Sequence, residues 1–251
     1  MIHIVQMTDT HLFADPGGRL YEINTRDALR SVIEHAQSNL PQIDALLVTG
    51  DLVHDETETG YKALSELLQA LDAPAYFLPG NHDDLQMMQR VLPNVTRDGL
   101  ISFEQNQWLV ILLDSSIKGR VEGKLTNTTL EKLVNLLTSN PQKHVLLALH
   151  HHVIDVQSEW LDALNLRNNL EFLTLLKDFP NVRTVVNGHI HQELDEQRDR
   201  IRFLGSPATC FQFAANRTNA GIDGAPPGYR HIVLLDDGRI ETTVYYVNGG
   251  Q

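Results

Sequence analysis

Five short runs, IHIVQM, DALLVTG, PAYFLPG, HVLLALH and RTVVNG, set the terms for this chain. Each is rich in aliphatic and β-branched residues at successive positions, the pattern of a strand covered on both faces. Amphipathic stretches stand between them. Leu29, Val32, Ile33 and Ala36 recur at helical spacing, as do Leu64, Leu67, Leu68 and Leu71. Leu130, Leu133, Val134 and Leu137 mark a third helix, with Thr126, Asn127 or Thr128 available as its N-cap. Leu170, Leu173, Leu176 and Phe179 mark a fourth. Strands alternating with helices give an α/β fold with parallel strands at its centre.

Two stretches depart from that rhythm. LISFEQNQWLVILLDSS reads as neighbouring strands about a turn at Asn106, and HIVLLDDGRIETTVYYV reads as a hairpin turning at Asp237-Gly238. The sheets are therefore expected to be mixed. No internal repeat, low-complexity tract or linker divides the 251 residues, so residues 1–251 are expected to form one domain.

Composition narrows the function. Thirty-two acidic residues against 20 Lys and Arg give a net charge of −12, and the basic footprint of a nucleic-acid binder is absent. Any anionic substrate must then be met by local cations. A single cysteine, Cys210, rules out an intrachain disulfide and points to a reducing compartment, with the cytoplasm expected. MIHIVQMTDTH lacks a basic flank and a long apolar core, so no secretory signal is read there; no run is long and apolar enough to suggest a membrane span.

The residues that follow the five strands carry the chemistry. They are Asp9 and His11; Asp51; Asn81, His82 and Asp83; His150, His151 and His152; and His189 and His191. In open α/β sheets such carboxyl ends line the ligand crevice. A lone histidine or a single Gly-Asp pair says little, but donors at all five strand ends indicate a metal site. Asp, His and Asn without cysteine suit manganese, iron or zinc rather than a thiolate zinc structure. There are too many donors for one ion, so two are expected, and Asp51 is the natural bridge. In VVNGHIHQEL, His189 and His191 would project to the same side of an extended backbone, which invites an ion between or beside the imidazoles.

DTH, GDLVHD, GNHDD, ALHH and GHIH, in this order from Asp9 to His191, resemble the motif series of the calcineurin-like metallophosphoesterases. The resemblance implies a four-layer αββα sandwich, two mixed β-sheets flanked by helices. It implies that Asp9, His11, Asp51 and His191 hold one metal, and that Asp51, Asn81, His150 and His189 hold a second. It gives His82 the role of general acid toward the leaving oxygen, with Asn81, His82 and His191 facing the substrate phosphate. A water shared by two cations becomes hydroxide near neutral pH and attacks phosphorus in line with the leaving oxygen. Asp83, or else Asp55, could orient an imidazole, and His54 could stand behind a ligand. His3, His35, His144 and His231 lie away from the motif ends and are given no role.

Many relatives carry two prolines after the histidine pair, whereas this chain reads HHHVID. That loop is expected to be freer, leaving His152 open to the site or to solvent. Past the metal motifs, NGHIHQELD, GSPATCFQF and GAPPGYR are similar to the class III bacterial cyclic-nucleotide phosphodiesterases. This likeness implies hydrolysis of 3′,5′-cyclic AMP to 5′-AMP, a small-molecule cyclic nucleotide as partner, and a homodimer of the kind common in the family. Phe211, Phe213 and Tyr229 are candidates to meet the base, and Cys210 is expected to be inert. Three enzymatic rivals share the chemistry: a broader phosphodiesterase acting on 2′,3′-cyclic nucleotides or glycerophosphodiesters, a nuclease and a protein phosphatase. A non-catalytic scaffold would lack ligands that this chain retains.

Overall fold

The computed structural model describes residues 1–248. In chain order the strands are β1 (Ile2–Met7), β2 (Arg19–Leu20), β3 (Ile23–Asn24), β4 (Ala45–Thr49), β5 (Ala75–Leu78), β6 (Leu100–Gln105), β7 (Trp108–Leu113), β8 (His144–Leu149), β9 (Val182–Asn187), β10 (Leu194–Arg198), β11 (Ile201–Gly205), β12 (Gln212–Phe213), β13 (Ile222–Asp223), β14 (Gly228–Leu234) and β15 (Ile240–Tyr246). The helices are α1 (Thr25–Asn39), α2 (Glu58–Leu68), α3 (Leu85–Val91), α4 (Asn127–Ser139), α5 (Glu159–Asp162) and α6 (Asn169–Leu176).

Two mixed sheets face each other, ordered β15-β14-β1-β4-β5 and β10-β11-β9-β8-β7-β6. Strand parity sorts the side chains into layers. Ile2 and Ile4 of β1, Ala45 and Leu47 of β4, Val110 and Leu112 of β7, and Leu146 and Ala148 of β8 fill the space between the sheets. The alternate residues Val5, Met7, Leu46 and Val48 pack outward with Leu29, Val32 and Ile33 of α1 and Leu64 of α2. In the second sheet Leu109, Ile111, Val145, Leu147 and Leu149 do the same with Leu130 and Leu133 of α4 and Phe172 and Leu176 of α6. The result is helices, sheet, sheet, helices, the four layers expected.

Local chemistry explains the element ends. Asn24 caps α1, its Oδ1 accepting from the backbone N–H of Arg26 and Asp27 at 3.0 Å each. Of the three candidates for α4, Thr126 is the cap and accepts from Thr129 N at 3.1 Å. The Asn106 turn joins β6 to β7, and Asp237-Gly238 lies in the turn from β14 to β15. The fourth amphipathic stripe needs correction. Leu170 is 76% exposed, because α6 is short and the residue sits in its first turn facing out; Phe172 and Leu176, four residues apart, form the buried face. No helix among the described residues is long and apolar enough to cross a membrane.

Strands β1, β4 and β5 run parallel in one sheet, and β8 and β9 run parallel in the other. Their carboxyl ends meet at one edge of the sandwich. Beneath that edge the buried Gln6 ties the sheets together: its Nε2 donates to Thr49 Oγ1 at 3.0 Å and to Asn187 O at 3.1 Å, and its Oε1 accepts from Ser206 Oγ at 2.6 Å.

Candidate metal centre

The loops after the strands are sharply bent. Asp9, His11, Asp51, His189 and His191 all have positive φ, between 42° and 67°. Such conformations cost a non-glycine residue of order 1–3 kcal/mol each and gather at functional sites. Glycines let the loops close. Gly50 has φ +93°, and a Cβ there would stand 2.5 Å from His150 Nδ1 and 2.7 Å from Gly80 N. A Cβ on Gly80 would run into Asp51 Oδ1 and the Asp51 amide.

All seven expected ligands converge. His191 Nε2 lies 3.2 Å from Asp9 Oδ1, and His11 Nε2 lies 3.7 Å from Asp51 Oδ2. His150 Nε2 is 3.4 Å from Asp51 Oδ1, 3.3 Å from Asn81 Oδ1 and 3.2 Å from His189 Nδ1. Donors sharing an ion at about 2.0–2.2 Å are themselves roughly 3 Å apart, so these spacings fit ion coordination. Asp51 presents one oxygen to each group, as a bridge would. Asp9 Oδ1 is buried with no hydrogen-bond partner among the described residues, which an ion would remedy. His/Asp residues are thus positioned for a metal site.

The surrounding bonds aim the donors. A carbonyl oxygen can only accept, so the bonds from His150 Nδ1 to Thr49 O (2.9 Å) and from His191 Nδ1 to Phe211 O (2.8 Å) put a proton on each Nδ1 and turn Nε2 to the cluster. The Asp9 Oδ2 accepts from Thr8 Oγ1 at 2.6 Å and from His189 N at 3.1 Å, while His82 N donates to Asp51 Oδ1 at 2.9 Å. Burial pushes the Asp51 carboxyl up, but His150 and His11 overcome it and hold the carboxyl well below its ordinary value. Burial takes His11 down to about 3, against the pull of Asp51. His189 is also held well below its ordinary value by burial and then by His151 and His150. For His150 burial again opposes charge, yet Asp51 dominates and raises it to about 9.

Several sequence expectations change. His189 and His191 do converge on one cavity, but across a tight turn in which Ile190 N donates to Gly188 O at 2.7 Å, not along an extended strand. His152 is fully buried rather than open: its ring stacks behind His189, at 5.9 Å and 20°, and Nε2 lies 3.6 Å from Asp162 Oδ1. His151 has both nitrogens engaged, Nε2 donating to Val121 O at 2.9 Å and Nδ1 accepting from Ser115 Oγ at 2.8 Å. Asp83 bonds to no imidazole. Its carboxylate accepts from Gly80 N, Leu52 N and Tyr61 Oη, and so clamps two ligand loops together. Burial, then the Asp51 charge, pushes that carboxyl up to about 6. Asp55 accepts from Ala14 N and Thr57 and orients no imidazole by hydrogen bond. His54 lies beside the expected ligand His11, with Nδ1 3.3 Å from His11 Nδ1. Tyr229 is not at the site; it is buried against Tyr245 and bonds to His35 because it lies within β14. Cys210 is buried, its thiol pushed up by burial and donating to Asp9 O at 3.0 Å.

A cavity of about 460 Å³ opens over the donors, with His82 at its side. Its other walls are Phe211 and Phe213, as expected, and Arg19, Tyr21, Trp160 and Leu161, which sequence reading missed. Tyr21 sits between two-residue strands and Trp160 on a four-residue helix, elements too short to leave a periodic signal.

The calcineurin-like phosphoesterase family model matches residues 2–193. The chain belongs to that family. A 3′,5′-cyclic adenosine monophosphate phosphodiesterase of Pseudomonas aeruginosa is 39% identical over 98% of this chain and 90% of its own. A 3′,5′-cyclic-nucleotide phosphodiesterase of Nostoc is 38% identical over 97% and 91%. Among solved structures, a dimetal phosphatase from Danio rerio shares the family's fold with a TM-score of 0.70, at 14% identity over 98% of this chain and 99% of that one. The mixed sheets flanked by helices are those of the family.

Proposed function

We propose that this chain is a metal-dependent phosphodiesterase that hydrolyses 3′,5′-cyclic AMP to 5′-AMP in the cytoplasm. Asp9, His11, Asp51 and His191 hold one ion, and Asp51, Asn81, His150 and His189 hold the second, the ions being manganese, iron or zinc. The observation that carries this reading is the convergence of seven donors, five of them lining one cavity and Asp9 beneath them with a buried unpartnered oxygen. The near full-length likeness to two cyclic-nucleotide phosphodiesterases supports the substrate.

When bound, the ions supply positive charge for the phosphate's non-bridging oxygens and bring the pKa of a water toward about 7. The chain's residues do the rest. Asp51 and Asp9 keep their negative charge despite burial, because the imidazoles beside them favour it. Attack by water on phosphorus breaks the bond to O3′, and that oxygen needs a proton. His82 is placed to give it: its ring lies beside the donors, 5.1 Å between centroids from both His11 and His54, and it lines the cavity. The hydrogen bond from its own amide to Asp51 fixes its position relative to the bridging carboxylate. Asn81 and His191 also face the phosphate.

The test is to strip the protein with chelator, reload it with Mn²⁺ and count bound metal while following cyclic AMP. Two ions per wild-type chain with activity restored, and loss of both in Asp51→Asn, are expected. Full activity of the stripped protein would overturn the reading.

A further inference from the structure

Beyond the metal donors the cavity has a second character. Tyr21, Phe211, Phe213 and Trp160 form a continuous chain of rings, in contact at 4.7, 5.4 and 4.8 Å between centroids, each pair edge to face. Phe211 and Phe213 also lie against His191, at 4.7 and 4.4 Å, so the aromatic wall begins where the donors end. All four rings line the cavity, although Trp160 Nε1 itself has no surface open to it. A wall of π-faces beside the cluster of His and Asp donors points to a ligand that carries a flat ring close to its charged group. Tyr21 is 62% exposed and reaches the wall from the far side, on the short β2–β3 hairpin.

We propose that this wall is the nucleobase subsite: a purine lies along Phe211 and Phe213 between Trp160 and Tyr21. The inference rests on the phosphodiesterase reading for the phosphate's position and adds to it what selects the nucleotide. A volume of about 460 Å³ suits one mononucleotide and not a polynucleotide strand. Trp160 also has structural support independent of substrate. Its neighbour Leu161 packs with Ile190, between His189 and His191, and Asp162 accepts from Val156 N and Ser158 N, so the wall is held in register with the donors.

The experiment uses the Mn²⁺-loaded full chain and two readouts: KM and kcat for 3′,5′-cyclic AMP, and inhibition by adenosine of methyl p-nitrophenyl phosphate hydrolysis. Adenosine has no phosphate and so reads the base subsite alone. Trp160→Ala should raise KM for cyclic AMP and the adenosine inhibition constant together, by roughly tenfold to a hundredfold, as expected for a lost base–aromatic stack. Trp160→Phe, which keeps a ring of smaller face, should fall between. Tyr21→Ala, at an exposed position that can be truncated without emptying the core, should raise both several-fold. Metal content measured on each variant separates a lost base contact from a disturbed ion site. If adenosine does not inhibit the wild type, or if Trp160→Ala and Tyr21→Ala leave its inhibition constant within twofold, the subsite is wrong. If adenosine inhibits through Trp160 while cyclic AMP is not hydrolysed, the subsite stands and the assigned substrate falls.

Discussion

His82 and His150, close together at the site, are held in different ways. His150 turns its Nε2 into the donors because Thr49 O takes the proton on Nδ1, whereas His82 stands at the cavity side with its amide tied to Asp51. Replacing His82 by Ala should therefore leave both ions bound and slow cyclic AMP hydrolysis by about 10²–10⁴-fold. The loss should shrink for an aryl ester, whose leaving oxygen needs no proton; equal losses on both substrates would remove His82 from the acid role. The His150–Asp51 pair has a consequence for protein stripped of ions. The folded value of His150 is raised to about 9 from an ordinary 6.5, so the pair stabilises fully below pH 6.5 and loses that contribution as pH rises through about 9. The Tm of stripped protein should fall across this window, and ions that replace the proton should flatten the slope. An equal slope in both forms would count against His150 as a donor to the ion.

At the scale of elements, the strands were legible because burial on both faces writes itself as an unbroken apolar run, as in VLLAL of β8. The donors were legible because each follows such a run. What was hidden lies where the backbone leaves regular structure. The turn at Gly188–Ile190 carries His189 and His191 with positive φ, so their convergence owes nothing to strand periodicity. His152 could not be placed from its own neighbourhood, since the groups it meets, Asp162 of α5 and His189, lie 10 and 37 residues further along the chain. Trp160 and Tyr21, on elements of two to four residues, carry no pattern at all. Asp83 was misplaced for a related reason: its carboxylate caps backbone N–H groups of the loop after β4, a partner 31 residues away in sequence for Leu52. The loops must approach closely, and Gly80 is where that requirement is tightest. Gly80→Ala should displace Asp51 and lower bound metal and activity together while circular dichroism stays that of the wild type. Unchanged metal content would show that the loops yield more easily than their packing implies.

For the molecule as a whole, the sandwich brings the carboxyl ends of strands from two sheets to one edge, with Gln6 bonded across the gap beneath them. Neither sheet carries a complete donor set: Asp9, His11, Asp51 and Asn81 follow strands of one, and His150, His189 and His191 follow strands of the other. Closing the sandwich assembles the site. The −12 charge of the chain makes that assembly consequential, because an anionic diester is otherwise repelled and positive charge held by these donors would supply the attraction. The most direct measurement is kcat/KM with Mn²⁺ for 3′,5′-cyclic AMP, 2′,3′-cyclic AMP and an aryl phosphodiester, on a single stripped and reloaded preparation. A clear preference for 3′,5′-cyclic AMP, abolished by chelator, is expected. Rapid turnover of the 2′,3′-cyclic or aryl ester with negligible 3′,5′ activity would contradict the assigned substrate.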